Sequence, residues 1–174
     1  MYIGHVGAAL GAKRVRASIG LLPLLIATYA PDWVDTGMCA AGAFNPNEML
    51  SHSIPAVLVL ALLGFGLYAA VTRDWKGALV VAGVVVSHML LDWITGYKPT
   101  WPGGRMIGLQ LYDHPIADFI AEGVAIVVGT LLYAQVSSRR QWRWTDFSIM
   151  LVALLALQLT IDIAHMVMAS LPKC

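Results

Sequence analysis

The sequence predicts an all-α integral membrane bundle with about five spans and a part-inserted N-terminal segment. Of its 174 residues, 59% are hydrophobic and only 12% are charged, so the chain is far more apolar than a soluble domain of this length. Its mean hydropathy is +0.72. The apolar residues also form long runs of the kind that cross a bilayer as helices. No internal repeat interrupts them, so we expect one domain over residues 1–174.

The apolar runs are separated by short polar or glycine-rich segments, which allows each element to be placed in order. Residues 2–12 are apolar but too short to cross about 30 Å of hydrocarbon, so we expect this segment to enter only part way. The predicted spans are residues 17–30, 53–72, 77–94, 115–136 and 147–169. Residues 32–51 and 96–112 are predicted to be loops because they are rich in Gly, Pro and Asn.

Basic residues predict the orientation of these spans. The positive-inside rule places the turn at Arg73 and Lys76 in the cytoplasm. Strict alternation then puts most of the basic residues on the same side: Lys13, Arg14, Arg16, Arg73, Lys76, Arg139, Arg140 and Arg143. Lys98, Arg105 and Lys173 are predicted to lie outside. The net charge of +1 and the lack of a basic stripe give no reason to expect a nucleic-acid partner.

Residues 87–92, Ser-His-Met-Leu-Leu-Asp, are the main candidate for chemistry. His88 and Asp92 are four residues apart and therefore lie on one face of the predicted helix. Residues 77–94 contain no other ionisable side chain, so in a bilayer this pair must be hydrogen-bonded, hydrated or bound to a ligand. Two interpretations are open: a His–Asp hydrogen bond that joins two helices, or a metal site.

The other histidines favour the metal site. With the predicted orientation, all five histidines fall in or beside the outer half of the membrane, whereas scattered helix-joining histidines should occur in both halves. They are His5, His52, His88, His114 and His165, and acidic residues accompany them at Asp32, Asp92, Asp118, Glu122 and Asp162. Nitrogen and oxygen donors without a thiolate are typical of zinc, manganese or iron sites. The set exceeds one tetrahedral ion, so two ions sharing a carboxylate and a hydroxide are a further expectation.

Several polar residues have two interpretations at this stage. Asp162 and His165 either join two helices or bind metal, and Asp35 and Glu48 are either solvated loop acids or supports for the ligands. Arg105 follows two glycines in the second loop, an arrangement that an anion such as phosphate would require, and it is the candidate substrate-binding residue. The two cysteines, Cys39 and Cys174, are either separate thiols or a disulfide if both face an oxidising compartment.

Four short motifs carry a family resemblance: Gly4-His5, Ala-Pro-Asp-Trp-Val-Asp at 30–35, Ser51-His52-Ser53, and the 87–92 segment. In this order they resemble the YdjM family of bacterial inner-membrane proteins, which are described as metal-dependent hydrolases. The resemblance covers residues 1 to about 102. The order His, Asp, His and His-x-x-x-Asp is also similar to the zinc-dependent phospholipase C and P1 nuclease group. A second His-x-x-x-acid completes the cluster in that group, and residues 114–118 have this form.

The resemblance implies a set of ligands and a reaction. Asp32, His52, His88 and Asp92 would bind one divalent ion, with Asp92 bridging to a second ion held partly by His5. The ion would be zinc, or alternatively manganese or iron. A further ion would be bound by His114 and Asp118. Asp32 and Asp92 are the candidate catalytic residues.

The resemblance also implies a location and a substrate. The chain would be a multi-pass protein of the bacterial inner (plasma) membrane whose site faces the periplasm or the cell exterior. There it would hydrolyse a phosphate ester of a lipid or lipid-linked substrate.

Two other function classes stay open. The chain could be a non-catalytic membrane subunit of a larger complex whose metal is structural, in which case its partners would be membrane proteins. It could also conduct protons or metal ions. A conductor needs a polar path to the cytoplasmic side, and the inner halves of the predicted spans contain almost no polar residue. We therefore rank conduction last.

Overall fold

A computed structural model describes residues 3–43, 49–137 and 143–168. Within these ranges the chain forms seven α-helices: α1 (Gly4–Val15), α2 (Leu21–Thr28), α3 (Ala30–Ala40), α4 (Ile54–Thr72), α5 (Trp75–Thr95), α6 (Pro115–Ser137) and α7 (Trp144–Met168). Two short strands, β1 (Lys98–Pro99) and β2 (Met106–Ile107), pair in an antiparallel hairpin between α5 and α6. Single 3₁₀ turns at Leu50–His52 and Leu111–Asp113 precede α4 and α6. The predicted all-α bundle is confirmed.

Four of the described helices, α4 to α7, are long and apolar enough to cross a membrane. They contain 19, 21, 23 and 25 residues, and they match the predicted spans that begin at residues 53, 77, 115 and 147. Their outer faces carry exposed apolar side chains, such as Leu62, Leu67 and Val71 on α4. Apolar side chains on the outside of a bundle are what a lipid environment requires.

The structure differs from the sequence prediction at residues 17–30, where a fifth span was expected. Here the helix is only eight residues long, from Leu21 to Thr28, and covers about 12 Å. Gly20 precedes it in an extended conformation and Tyr29 breaks the helical path after it, so the chain turns at both ends. The short α2 packs against α1 and α5. The described residues therefore contain four candidate spans and two short inner helices, α1 and α2.

The predicted loop at residues 32–51 is also partly helical, because α3 occupies Ala30–Ala40. Pro31 lies in the first turn of α3, where its missing N–H leaves no helical hydrogen bond unmade. The second predicted loop, residues 96–112, contains the β1–β2 hairpin. Five residues discussed above lie outside the described ranges: Glu48, Arg139, Arg140, Lys173 and Cys174.

Glycines allow α1 to pack closely against α6. A Cβ atom at Gly7 would overlap the carbonyl of Ala125, and one at Gly129 would overlap the backbone of Gly7. Small residues at helix contacts let two backbones approach, which is the main source of packing between helices in lipid. This contact fixes α1 inside the bundle although α1 has only 12 residues.

The basic segments meet at one end of the bundle. The Arg16 guanidinium contacts the Asp74 carboxylate with N–O distances of 3.0 and 3.2 Å, which joins the α1–α2 connection to the α4–α5 turn. Arg14 donates a hydrogen bond of 3.2 Å to the side-chain oxygen of Gln135, near the end of α6. The Gly77 N–H and the Arg16 charge hold the pKa of Asp74 below its usual value. The three segments thus share one end, as the alternation of spans predicts.

Replacing Gly129 with Ala should destabilise the protein, by about 1–3 kcal/mol, because the added methyl group would force α1 away from α6. The matched control is Gly83→Ala on α5, where a Cβ atom meets nothing within 4 Å and the higher helix propensity of Ala should be neutral or stabilising. Thermal unfolding of the two variants in detergent checks this. Equal unfolding temperatures would contradict the close contact.

Candidate metal centre

Five side chains meet at the end of the bundle opposite the basic segments. His5 is the second residue of α1, Asp32 lies in the first turn of α3, and His52 closes the 3₁₀ turn before α4. His88 and Asp92 lie near the end of α5, one turn apart. Asp92 is 18 residues beyond Asp74, a distance of about 27 Å along a helix. The cluster therefore joins four separate segments at one end of the bundle.

Asp32, His52 and His88 form the first group that could hold a metal ion. Asp32 Oδ1 lies 3.2 Å from His52 Nε2 and 3.7 Å from His88 Nε2, and the two Nε2 atoms are 3.2 Å apart. A tetrahedral ion with bonds of about 2.0–2.2 Å has ligand atoms about 3.3–3.6 Å apart. The spacing of these three donor atoms fits one face of such a tetrahedron.

His5, His88 and Asp92 form the second group, which shares His88 with the first. The His5 and His88 rings are stacked, with centroids 3.9 Å apart. His5 Nε2 lies 3.2 Å from Asp92 Oδ1, yet neither His5 ring nitrogen makes a well-formed hydrogen bond to a described residue, although the ring is fully buried. A buried polar atom without a partner is unfavourable, so His5 is a ring that needs a ligand.

The two oxygens of Asp92 point toward different groups. Oδ1 faces His5, whereas Oδ2 lies 3.3 Å from His52 Nε2 and 3.4 Å from His88 Nε2. A carboxylate between two sets of nitrogen donors has the arrangement of a bridging ligand. The Asp92 side chain is only 2% exposed, so it depends on these partners for its stability.

A backbone carbonyl orients His88. Its Nδ1 lies 2.7 Å from the Thr28 carbonyl oxygen, which can only accept, so Nδ1 carries the proton and Nε2 presents its lone pair to the cluster. The Thr28 hydroxyl in turn donates to the His5 carbonyl over 3.1 Å. The end of α2 thus positions His88 and ties α2 to the first turn of α1.

A carboxylate orients His52. Its Nδ1 lies 3.1 Å from Asp35 Oδ2 and 2.8 Å from the Ser51 hydroxyl, and Ser51 itself donates to Asp35. Metal-binding histidines commonly donate their second N–H to a carboxylate in this way. Burial lowers the pKa of His52, but hydrogen bonds to Asp32, Asp35 and Asp92 outweigh it and raise the pKa from 6.5 to about 10. A bound metal ion would displace the proton from Nε2.

The cluster is closed on the protein side and open at Asp32. The His5, His52, His88 and Asp92 side chains are at most 2% exposed, whereas Asp32 is 41% exposed. An apolar groove of about 350 Å³ lies between α3, the start of α4 and Pro102. Ser51 and Ser53, the neighbours of His52 in sequence, both line this groove.

Other residues singled out in the sequence fall outside the two ligand groups. His114 is exposed and precedes α6, and neither His114 nor Asp118 belongs to a group of three possible ligands among the described residues. Asp118 is buried on α6, and Arg105 is exposed in the β1–β2 hairpin. Asp162 accepts a hydrogen bond of 2.6 Å from the Gln158 side chain, and the His165 ring contacts Tyr112.

Polar residues of α6 and α7 support the cluster indirectly. Glu122 accepts a hydrogen bond of 3.0 Å from the Gly4 N–H, and Gln158 accepts one of 3.0 Å from the Ile3 N–H. The first N–H groups of a helix have no partner within the helix, so these side chains fix the start of α1. They thereby position His5, the next residue along.

Sequence reasoning missed one residue at the site and left another open. Of the two interpretations of Asp35, a solvated acid or a support for the ligands, the contact with His52 favours the second. Lys98 was assigned only to the outer loop, but its Nζ lies 3.3 Å from Asp92 Oδ2. The available signal was position: Lys98 follows Asp92 by six residues on a face that is otherwise poor in basic residues.

Comparison with known families decides the relationship of this chain. The family model described as YdjM inner membrane protein matches residues 1–166. The chain belongs to the YdjM inner membrane protein family. No curated protein and no solved structure matches it. The YdjM match extends well beyond residue 102, where the resemblance seen in the sequence ended, and it includes the helices that carry Asp118, Glu122 and Asp162.

Replacing His88 or Asp92 of this YdjM-family chain with Ala should remove bound metal. His88 belongs to both ligand groups, and the two oxygens of Asp92 face His5 on one side and His52 and His88 on the other. The matched control is His114→Ala, which should retain metal because that side chain is exposed and belongs to neither ligand group. Metal content of the purified proteins, with circular dichroism as a check of helicity, measures this. Full metal retention in both cluster variants would contradict the site.

Proposed function

We propose that the chain is a membrane-bound metal-dependent hydrolase that acts at the outward face on a phosphate ester of a lipid or lipid-linked substrate. The observation that carries the proposal is the combination of two overlapping ligand groups with one carboxylate, Asp32, exposed at their edge. A catalytic metal needs a position for water or substrate, and a structural metal does not. Asp32 marks where such a position would lie.

The donor set supports a divalent transition metal, and we propose zinc. Imidazole nitrogens and carboxylate oxygens suit zinc, with manganese and iron as alternatives. An ion bound here would polarise a phosphoryl oxygen and activate water near neutral pH. The protein supplies the fixed histidine orientations: Thr28 holds His88 and Asp35 holds His52.

The surroundings of the opening support a lipid substrate. The apolar groove beside Ser51 and Ser53 lies within one turn of His52 and could receive an acyl chain while the polar group of the same molecule meets Asp32. Arg105, exposed on the hairpin at this end of the bundle, would bind a phosphate oxygen. Asp32, the exposed carboxylate, would orient the attacking water and accept its proton.

A structural metal site is the second candidate, because four of the five side chains are almost completely buried. In that case the chain would act as a subunit of a larger membrane complex. The two candidates differ in the coordination of the metal. In a structural site side chains fill every coordination position, whereas a catalytic site keeps one for water or substrate.

The purified, zinc-loaded protein should release inorganic phosphate from a short-chain phosphatidic acid, or phosphocholine from a short-chain phosphatidylcholine, in mixed micelles. Asp32→Asn should lower kcat by about 10² or more because the amide cannot accept a proton. His114→Ala should stay close to the wild-type rate, since the exposed His114 side chain belongs to neither ligand group. A zinc-loaded wild-type protein that hydrolyses neither substrate and has no exchangeable water on its metal would favour the structural site.

The outward orientation can be tested separately in cells. In a chain whose native cysteines are replaced with Ser, a Cys introduced at Trp101 should react with a membrane-impermeant maleimide in intact cells. A Cys at Lys76 should react only after permeabilisation, because the basic end is expected in the cytoplasm. Both positions are exposed, so accessibility within the protein does not bias the comparison. The reverse labelling pattern would place the metal centre on the cytoplasmic side.

A further inference from the structure

Lys98 approaches the oxygen of Asp92 that faces both Nε2 atoms of the first group. Its Nζ lies 3.3 Å from Asp92 Oδ2, and the same oxygen lies 3.3 Å from His52 Nε2 and 3.4 Å from His88 Nε2. The Lys98 side chain is 12% exposed, compared with 2% for Asp92, so the ammonium lies on the solvent side of the buried carboxylate. A positive charge of the protein therefore lies against a ligand atom of the cluster.

The backbone of Lys98 is fixed although its side chain is long. Strand β1 pairs with β2, Leu109 N–H donates to the Trp93 carbonyl over 2.9 Å, and Gln110 N–H donates to the Gly96 carbonyl over 3.1 Å. These bonds attach the segment to the end of α5, directly beyond Asp92. The ammonium, on a flexible four-carbon stem, can change partners while its Cα stays in place.

The charge of the cluster indicates when the Lys98 ammonium would leave Asp92 for another partner. Three carboxylates, Asp32, Asp35 and Asp92, contact the imidazoles, and the Lys98 ammonium contacts one of them, Asp92. With neutral imidazoles, as metal binding requires, these four groups have a formal charge of −2. A divalent ion neutralises that charge and takes the Asp92 oxygen as a ligand. Ion and ammonium then repel each other, and Lys98 loses its partner.

We propose that Lys98 is a substrate-positioning residue: it neutralises Asp92 in the ion-free protein and binds an anionic phosphoryl oxygen when the ion is present. The anion class rests on the proposed function, whereas the exchange of partners rests on the position of Nζ. An ion pair that served only the fold would stay on Asp92 in both states. The two roles predict different effects on anion binding.

The test uses Co²⁺ as a visible probe of the site and inorganic phosphate as the anion, with full-length protein in detergent. Lys98→Met should bind Co²⁺ at least as tightly as the wild type, because a competing positive charge is lost. Phosphate binding to the Co²⁺-loaded variant should weaken by about tenfold or more, the effect expected for loss of a charge-assisted hydrogen bond. Lys98→Arg should retain phosphate binding within about threefold.

Lys76→Met is the matched control, because it makes the same substitution on an exposed lysine at the other end of the bundle. It should change neither affinity. Lys98→Gln provides a second neutral variant should the Met variant not fold. Unchanged phosphate affinity in a neutral Lys98 variant, or Co²⁺ binding weakened more than about threefold, would overturn the role of Lys98 alone. A wild-type protein that binds no Co²⁺ would overturn the metal centre and the proposed function with it.

Discussion

The structure depends on keeping one carboxylate, Asp92, inside an apolar bundle. An ionised group in a bilayer is unfavourable by several kcal/mol or more unless it is paired, hydrated or bound to a metal. Three histidines and one lysine meet this requirement, and each comes from a different segment. The positions of those segments follow from the need to bring their polar groups to Asp92.

The short helices α1 and α2 show how this requirement shapes the fold. In most membrane bundles each helix crosses the hydrocarbon, but here α1 and α2 are too short to do so; α1 begins at the cluster and α2 ends there. The N–H groups at the start of each helix and the carbonyl groups at its end have no partner within the helix, and lipid offers them none. Glu122, Gln158 and the α1–α6 glycine contact hold the start of α1, and the end of α2 offers the Thr28 carbonyl to His88. The same contacts that satisfy these helix ends also orient the ligands.

The exposed edge of the cluster is the feature on which the choice between a catalytic and a structural metal site depends. If Asp32 were as buried as Asp92, the five side chains would form a sealed polar core whose main effect is to join helices. Asp32 and Lys98 instead lie on the accessible side, one as an exposed anion and the other as a partly exposed cation. Opposite charges beside a buried ligand set provide contacts for both water and an anionic substrate, which is the chemical basis of the hydrolase proposal.

The sequence by itself determined the bundle, the four long helices and the pairing of His88 with Asp92, because hydropathy and helical periodicity are local properties. It also indicated His5, Asp32 and His52 as companions, through the predicted outer position of the histidines and the family resemblance. Only the tertiary structure decided the rest. Residues 17–30 look like a span by hydropathy, but packing between α1 and α5 and the turns at Gly20 and Tyr29 make a short helix. His114 and Asp118 repeat the spacing of His88 and Asp92, yet that spacing fixes only which face of a helix two residues share. Which neighbours that face meets is set by long-range contacts, and the same contacts bring Lys98 to Asp92 from a hairpin whose sequence contains no ligand motif.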